Sequence, residues 1–86
     1  MKLNKDFITH QSDGEWFLIP VGGAGFSGIV KGNKTLGLIL EQLKQDTTEE
    51  EIVAALRDRF EAPEGLIEDN VKEVLENLRG IGALDE

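Results

Sequence analysis

The segment whose spacing comes nearest to a known chemistry is Gly23-Ala24-Gly25-Phe26-Ser27-Gly28, a literal GxGxxG that follows a stretch of strand character. In a dinucleotide fold, such glycines let the backbone approach a pyrophosphate, which rests on the N-terminus of the next helix. Here Ile29-Val30-Lys31-Gly32 intervenes before any helix, and 86 residues cannot supply a doubly wound sheet. The run from Gly28 to Thr35 passes near a phosphate-loop signature, but Asn33 stands where glycine must precede the lysine and the spacing is wrong. His10 is the only histidine, so neither a triad nor a histidine metal site can be assembled. The absence of cysteine removes disulfides, thiolate ligands and thiol nucleophiles together. Glu68, Asp69, Glu73 and Glu76 belong to the solvated face of a helix, whereas paired-carboxylate catalysis needs a cleft that drives two pKa values apart. The residue types therefore point away from an enzyme and from any cofactor or metal.

The elements that would position these residues fall into two textures. Phe7-Ile8-Thr9-His10-Gln11 is a short strand, and Ser12-Asp13-Gly14 after it is turn chemistry, since glycine supplies a positive φ and aspartate tolerates one. Glu15 to Val21 is the strongest strand and completes a hairpin. Pro20 cannot donate to a ladder, so pairing on its N–H side must end or bulge there. A glycine-rich loop, Gly22 to Gly28, leads to a third strand expected near Phe26–Lys31. The second strand does not alternate: Trp16 and Leu18 point to one face, while Phe17, Ile19 and Val21 point to the other. Either the loop and helices cover both faces, or some apolar surface awaits a partner.

From Asn33 the pattern is helical. Asn33 is a candidate N-cap for a helix carrying Leu36, Ile39, Leu40 and Leu43 and ending at Gln45-Asp46. Two capping boxes, Thr47 with Glu50 or Thr48 with Glu51, open a second helix with Ile52, Val53, Leu56 and Phe60 on its buried stripe. Pro63 and Gly65 break the chain. A third helix runs from about Leu66 to Arg79, with Ile67, Val71, Val74, Leu75 and Leu78 on one face, and Gly80 or Gly82 stops it. The expected architecture is α+β: a three-stranded antiparallel sheet followed by a three-helix bundle, winged-helix-like, in a single domain over residues 1–86.

Charge narrows the partners. The net charge is −8, and residues 35–86 carry five basic against fourteen acidic side chains. A field of that sign repels phosphate backbones, so nucleic acid is disfavoured. No run of about 18 apolar residues exists to span a membrane. No apolar signal segment follows Met1, so the cytoplasm is the expected compartment. The acidity and size would suit an acyl carrier protein, but Ser12 and Ser27 sit in turns and neither lies in an Asp-Ser-Leu motif at a helix start.

Three segments and a last helix together resemble a known family. They are Gly14-Glu15-Trp16-Phe17-Leu18-Ile19-Pro20, then Asn33-Lys34-Thr35-Leu36-Gly37 with Ile39, Leu40 and Leu43, and Thr48-Glu49-Glu50-Glu51-Ile52 with Leu56 and Phe60. Asp69-Asn70-Val71, Val74-Leu75, Leu78 and Gly82-Ala83-Leu84 complete the pattern over about residues 3 to 84. This resembles the PqqD family of peptide chaperones, also called RiPP recognition elements. The family usually has a leucine before its Asn-x-Thr segment, where this chain has Gly32. The resemblance implies a non-catalytic protein that binds the leader of a ribosomally made precursor peptide and presents it to a modifying enzyme, often of the radical SAM type. The leader would add as a strand beside the third strand and against the third helix, by β-augmentation. The expected docking edge is Gly28, Ile29, Val30 and Lys31, and the expected helix wall is Leu66, Ile67, Asn70, Val71 and Val74. On that expectation Val30→Pro abolishes binding while the helices stay folded. The competing readings are a structural or oligomerisation module pairing through the same edge, and a winged-helix DNA-binding protein. The latter needs a basic recognition helix, whereas the third helix carries Lys72 and Arg79 against four acids.

Overall fold

The computed structural model describes residues 1–22, 28–63 and 65–86. Residues 23–27 of the glycine fingerprint, which include the beginning of the expected third strand, therefore lie outside the described residues. Among the described residues eight elements follow in order: β1 (Lys2–Leu3), β2 (Phe7–Ser12), β3 (Glu15–Pro20), β4 (Val30–Gly32), α1 (Lys34–Gln42), α2 (Glu49–Arg59), α3 (Leu66–Gly80) and β5 (Leu84–Asp85). β2, β3 and β4 form the three-stranded antiparallel sheet in that order, and β1 pairs with β5 in a separate two-stranded sheet. The fold is α+β as expected.

Local chemistry accounts for the boundaries. Asp13 at φ 51° and Gly14 at φ 77° make the two-residue turn between the Ser12–Glu15 pair, both central residues in the left-handed region that a primed hairpin turn demands. The β3–β4 ladder covers only Trp16 to Leu18, and β4 begins at Val30, later than the Phe26 expected. Pro20 explains the short ladder, because its missing N–H lies on the β4 side. Asn33 caps α1, its Oδ1 accepting from the Thr35 amide at 3.0 Å. α1 stops at Gln42 rather than Gln45, because β1 claims the next carbonyl: the Leu3 amide donates to Leu43 O at 2.8 Å. Of the two capping boxes, Thr48 with Glu51 forms in its first half only, the Glu51 amide donating to Thr48 Oγ1 at 3.2 Å. The Glu51 carboxylate accepts instead from the Thr47 hydroxyl at 3.0 Å. At the end of α3 it is Gly82, at φ 76°, that turns the chain, with the Ala83 amide donating back to Leu78 O at 2.9 Å.

The core lies between the inner face of the sheet and the helices. Phe7 and Leu18 meet Leu36, Ile39, Leu40 and Leu43 of the α1 region, Ile52 and Leu56 of α2, and Val71, Leu75 and Leu78 of α3. Gly37 lets Trp16 lie directly on α1, since a Cβ there would fall on the indole ring. Of the two possibilities for the non-alternating β3, the inner face is covered, while the outer face keeps Ile8 at 49% exposure and Val21 at 38%. Among the described residues, no helix is long and apolar enough to cross a membrane.

Candidate functional site

The direction of the backbone groups on β4 follows from the ladder beside it. Ser12 and Glu15 flank a two-residue turn and exchange hydrogen bonds, and the Val21 amide donates to Asp6 O at 2.7 Å. Backbone polar groups of successive strand residues alternate sides, so those of Glu15, Phe17, Ile19 and Val21 face β2. Those of Trp16, Leu18 and Pro20 face β4. Trp16 lies opposite Gly32 and Leu18 opposite Val30, so Gly32 and Val30 bond inward to β3. Lys31, between them, turns its N–H and C=O outward. Among the described residues, no strand pairs with that edge.

Across the edge stands α3, and the two enclose a cleft of about 550 Å³. Val30, Lys31 and Gly32 form one side, and Asn33, Thr35 and Leu36 close one end. α3 contributes Asn70, Glu73, Val74, Asn77 and Leu78, with Ile81 just past its last turn. Those positions recur at three and four residues, which is one face of a helix. Leu36 and Leu78 are the buried floor, Val30, Val74 and Ile81 are half-buried walls, and Asn70, Glu73 and Asn77 are an exposed polar rim. A Cβ at Gly32 would sit 2.8 Å from the Leu36 Cβ, so the glycine is what admits Leu36 to the floor. The Lys31 ammonium lies 3.2 Å from Glu15 Oε2, on the outer face of the sheet. The arrangement offers main-chain pairing on one side and an apolar trough with amide-bearing tips on the other. Among the described residues, no group of three His, Asp or Glu side chains gathers as metal ligands.

Of the residues proposed from sequence, the structure brings Val30, Lys31, Asn70 and Val74 together in the cleft. Gly28 and Ile29 precede β4 and do not line it, Ile29 being 62% exposed. Leu66 and Ile67 line a smaller neighbouring groove with Leu56, Phe60 and Ala62, which shares Thr35 and Asn70 with the cleft. Val71 is fully buried in the core. Sequence reasoning missed Glu73, Asn77, Leu78 and Ile81, although carrying Asn70 and Val74 forward at helical spacing reaches the last three. It also missed Gly32, Asn33, Thr35 and Leu36, which follow the strand directly. The outward amide belongs to Lys31, so proline at Val30 would break the β3–β4 ladder, and the informative substitution is at Lys31.

The family model described as coenzyme PQQ synthesis protein D (PqqD) matches residues 15–84. The solved structure of TbiB1 in complex with the TbiA(beta) leader peptide is similar to this chain with a TM-score of 0.80 at 19% identity. That match covers 99% of this chain and 95% of the other, and at such identity the likeness is one of fold. No curated protein matches.

Proposed function

The chain belongs to the PqqD family, and on that premise we propose that it is a non-catalytic recognition element for a ribosomally made precursor peptide. The leader segment adds as a strand to β4, rests against α3, and is presented to a modifying enzyme, for which a radical SAM enzyme is the favoured class. The cytoplasm, where such precursors are made, is where it would act. The observation that carries the reading is the outward N–H and C=O of Lys31, an edge with which no strand pairs among the described residues, facing α3 across the cleft of about 550 Å³. Main-chain bonds at that edge supply affinity, and the trough receives alternate side chains. The leader peptide in the structural neighbour supports the same occupant. The proposed contacts are Val30, Lys31, Asn70 and Val74, which the sequence also nominated, with Gly32, Leu36, Asn77, Leu78 and Ile81 extending the surface.

The test compares two substitutions at one position. Lys31→Pro deletes the outward N–H, and proline is tolerated on a strand edge whose N–H faces solvent. Lys31→Ala removes the same side chain and keeps the amide. Peptides from the source organism's lysate are added to each ¹⁵N-labelled protein. Amide shifts at residues 30–33 and 70–81 are expected in the native protein and in Lys31→Ala, and not in Lys31→Pro. Equal shifts in Lys31→Pro, or no shifts in the native protein, would overturn the reading.

A further inference from the structure

We infer that the segment seated in the cleft sets a lysine or arginine side chain against Glu73. The inference rests on the peptide-binding reading and adds the chemistry of one contact to it. Two charged residues line the cleft, Lys31 and Glu73. Lys31 sits opposite Phe17 on β3, so its side chain shares the outer face of the sheet with Glu15, and their charges meet at 3.2 Å. Its charge is therefore compensated away from the cleft. Among the described residues Glu73 has no such partner: the cations in ion pairs there are the Met1 amine with Asp46, Lys31 with Glu15, Arg57 with Glu68 and Arg79 with Glu86. Lys34, the next cation along the chain from β4, lines a different groove beside Trp16 and Arg59.

The position of Glu73 gives that lone charge its use. It stands on the rim of α3 midway between Asn70 and Asn77, two helical turns apart or about 10.5 Å along the axis. Val74 and Leu78 line the same cleft beside it. A strand paired to Lys31 presents every second side chain toward this wall. An aliphatic stem passing over Val74 with a cationic head at Glu73 satisfies both surfaces at once, as lysine and arginine do on half-buried sites. The acidic balance of residues 35–86 favours the same sign of partner.

The probe is a displayed library of random short peptides, selected on the native protein and counter-screened on Lys31→Pro, so that cleft-directed binders are those the proline loses. Those binders are expected to share one basic position, and Glu73→Gln is expected to weaken them about three- to fivefold, the size of a well-formed exposed ion pair. Selection on Glu73→Lys should replace that basic residue with Asp or Glu. Cleft-directed binders with no basic preference and equal affinity for Glu73→Gln would overturn this inference and leave peptide binding standing. A library that yields no cleft-directed binder would overturn both.

Discussion

At the scale of single residues, two glycines and one carboxylate carry the most testable consequences. Gly37 is buried on α1 under the Trp16 indole, and any Cβ there would fall on the ring. Gly37→Ala gains helix propensity but overpacks this contact, at a cost of about 1–3 kcal/mol. Urea denaturation should show a lower midpoint; an unchanged or higher midpoint would mean that the indole can move aside. Gly32 serves the site in the same way, through Leu36, and the reason was not readable beforehand because it depends on a neighbour four residues along. Asp46 accepts from the Met1 amine at 2.7 Å, and that bond, with the amine's charge, holds its carboxyl below the usual carboxylate range. A folded-state pKa lowered this way stabilises above the unfolded value and is lost as pH falls through the folded one. An NMR titration should find Asp46 protonating later than ordinary aspartates on acidification; a titration at the ordinary position would show that the pair does not persist in solution.

At the scale of elements, α2 and α3 were the most legible. Their apolar stripes and the turn residues around them state where each begins and ends, and Thr48 caps α2 as its box predicts. Thr48→Ala should cost about 1 kcal/mol of stability, measured against the native protein in the same denaturant series. No loss would assign the cap to Thr47, whose hydroxyl already reaches the Glu51 carboxylate. The extent of β4 was harder to read, since three residues carry no period, and Pro20 sets its length from across the ladder. The wall of the cleft was half legible. Asn70 and Val74 announced a face, and Leu66 and Ile67 continue it toward the start of α3, where they line the neighbouring groove instead. Val71, one position round the helix from Asn70, turns inward and belongs to the core.

At the scale of the whole molecule, the feature that sequence could not suggest is the pairing of β1 with β5. Two strands of two residues each leave no pattern, yet Lys2 lies opposite Asp85 and the Asn4 amide donates to Ala83 O at 2.7 Å. Their consequence is kinetic. Closing a loop costs entropy that grows with its length, so a contact spanning almost the entire chain is reached only after shorter loops have shut. The β2–β3 hairpin closes over a two-residue turn and pays almost none of that cost. In a pulse-labelled refolding experiment, the amides of Phe17 and Ile19 should gain protection before that of Asn4, which donates to Ala83 O, and simultaneous protection would place the end-to-end pair within the folding nucleus. If the order holds, the clasp forms last, and the edge strand and cleft are assembled before the two ends of the chain are tied together.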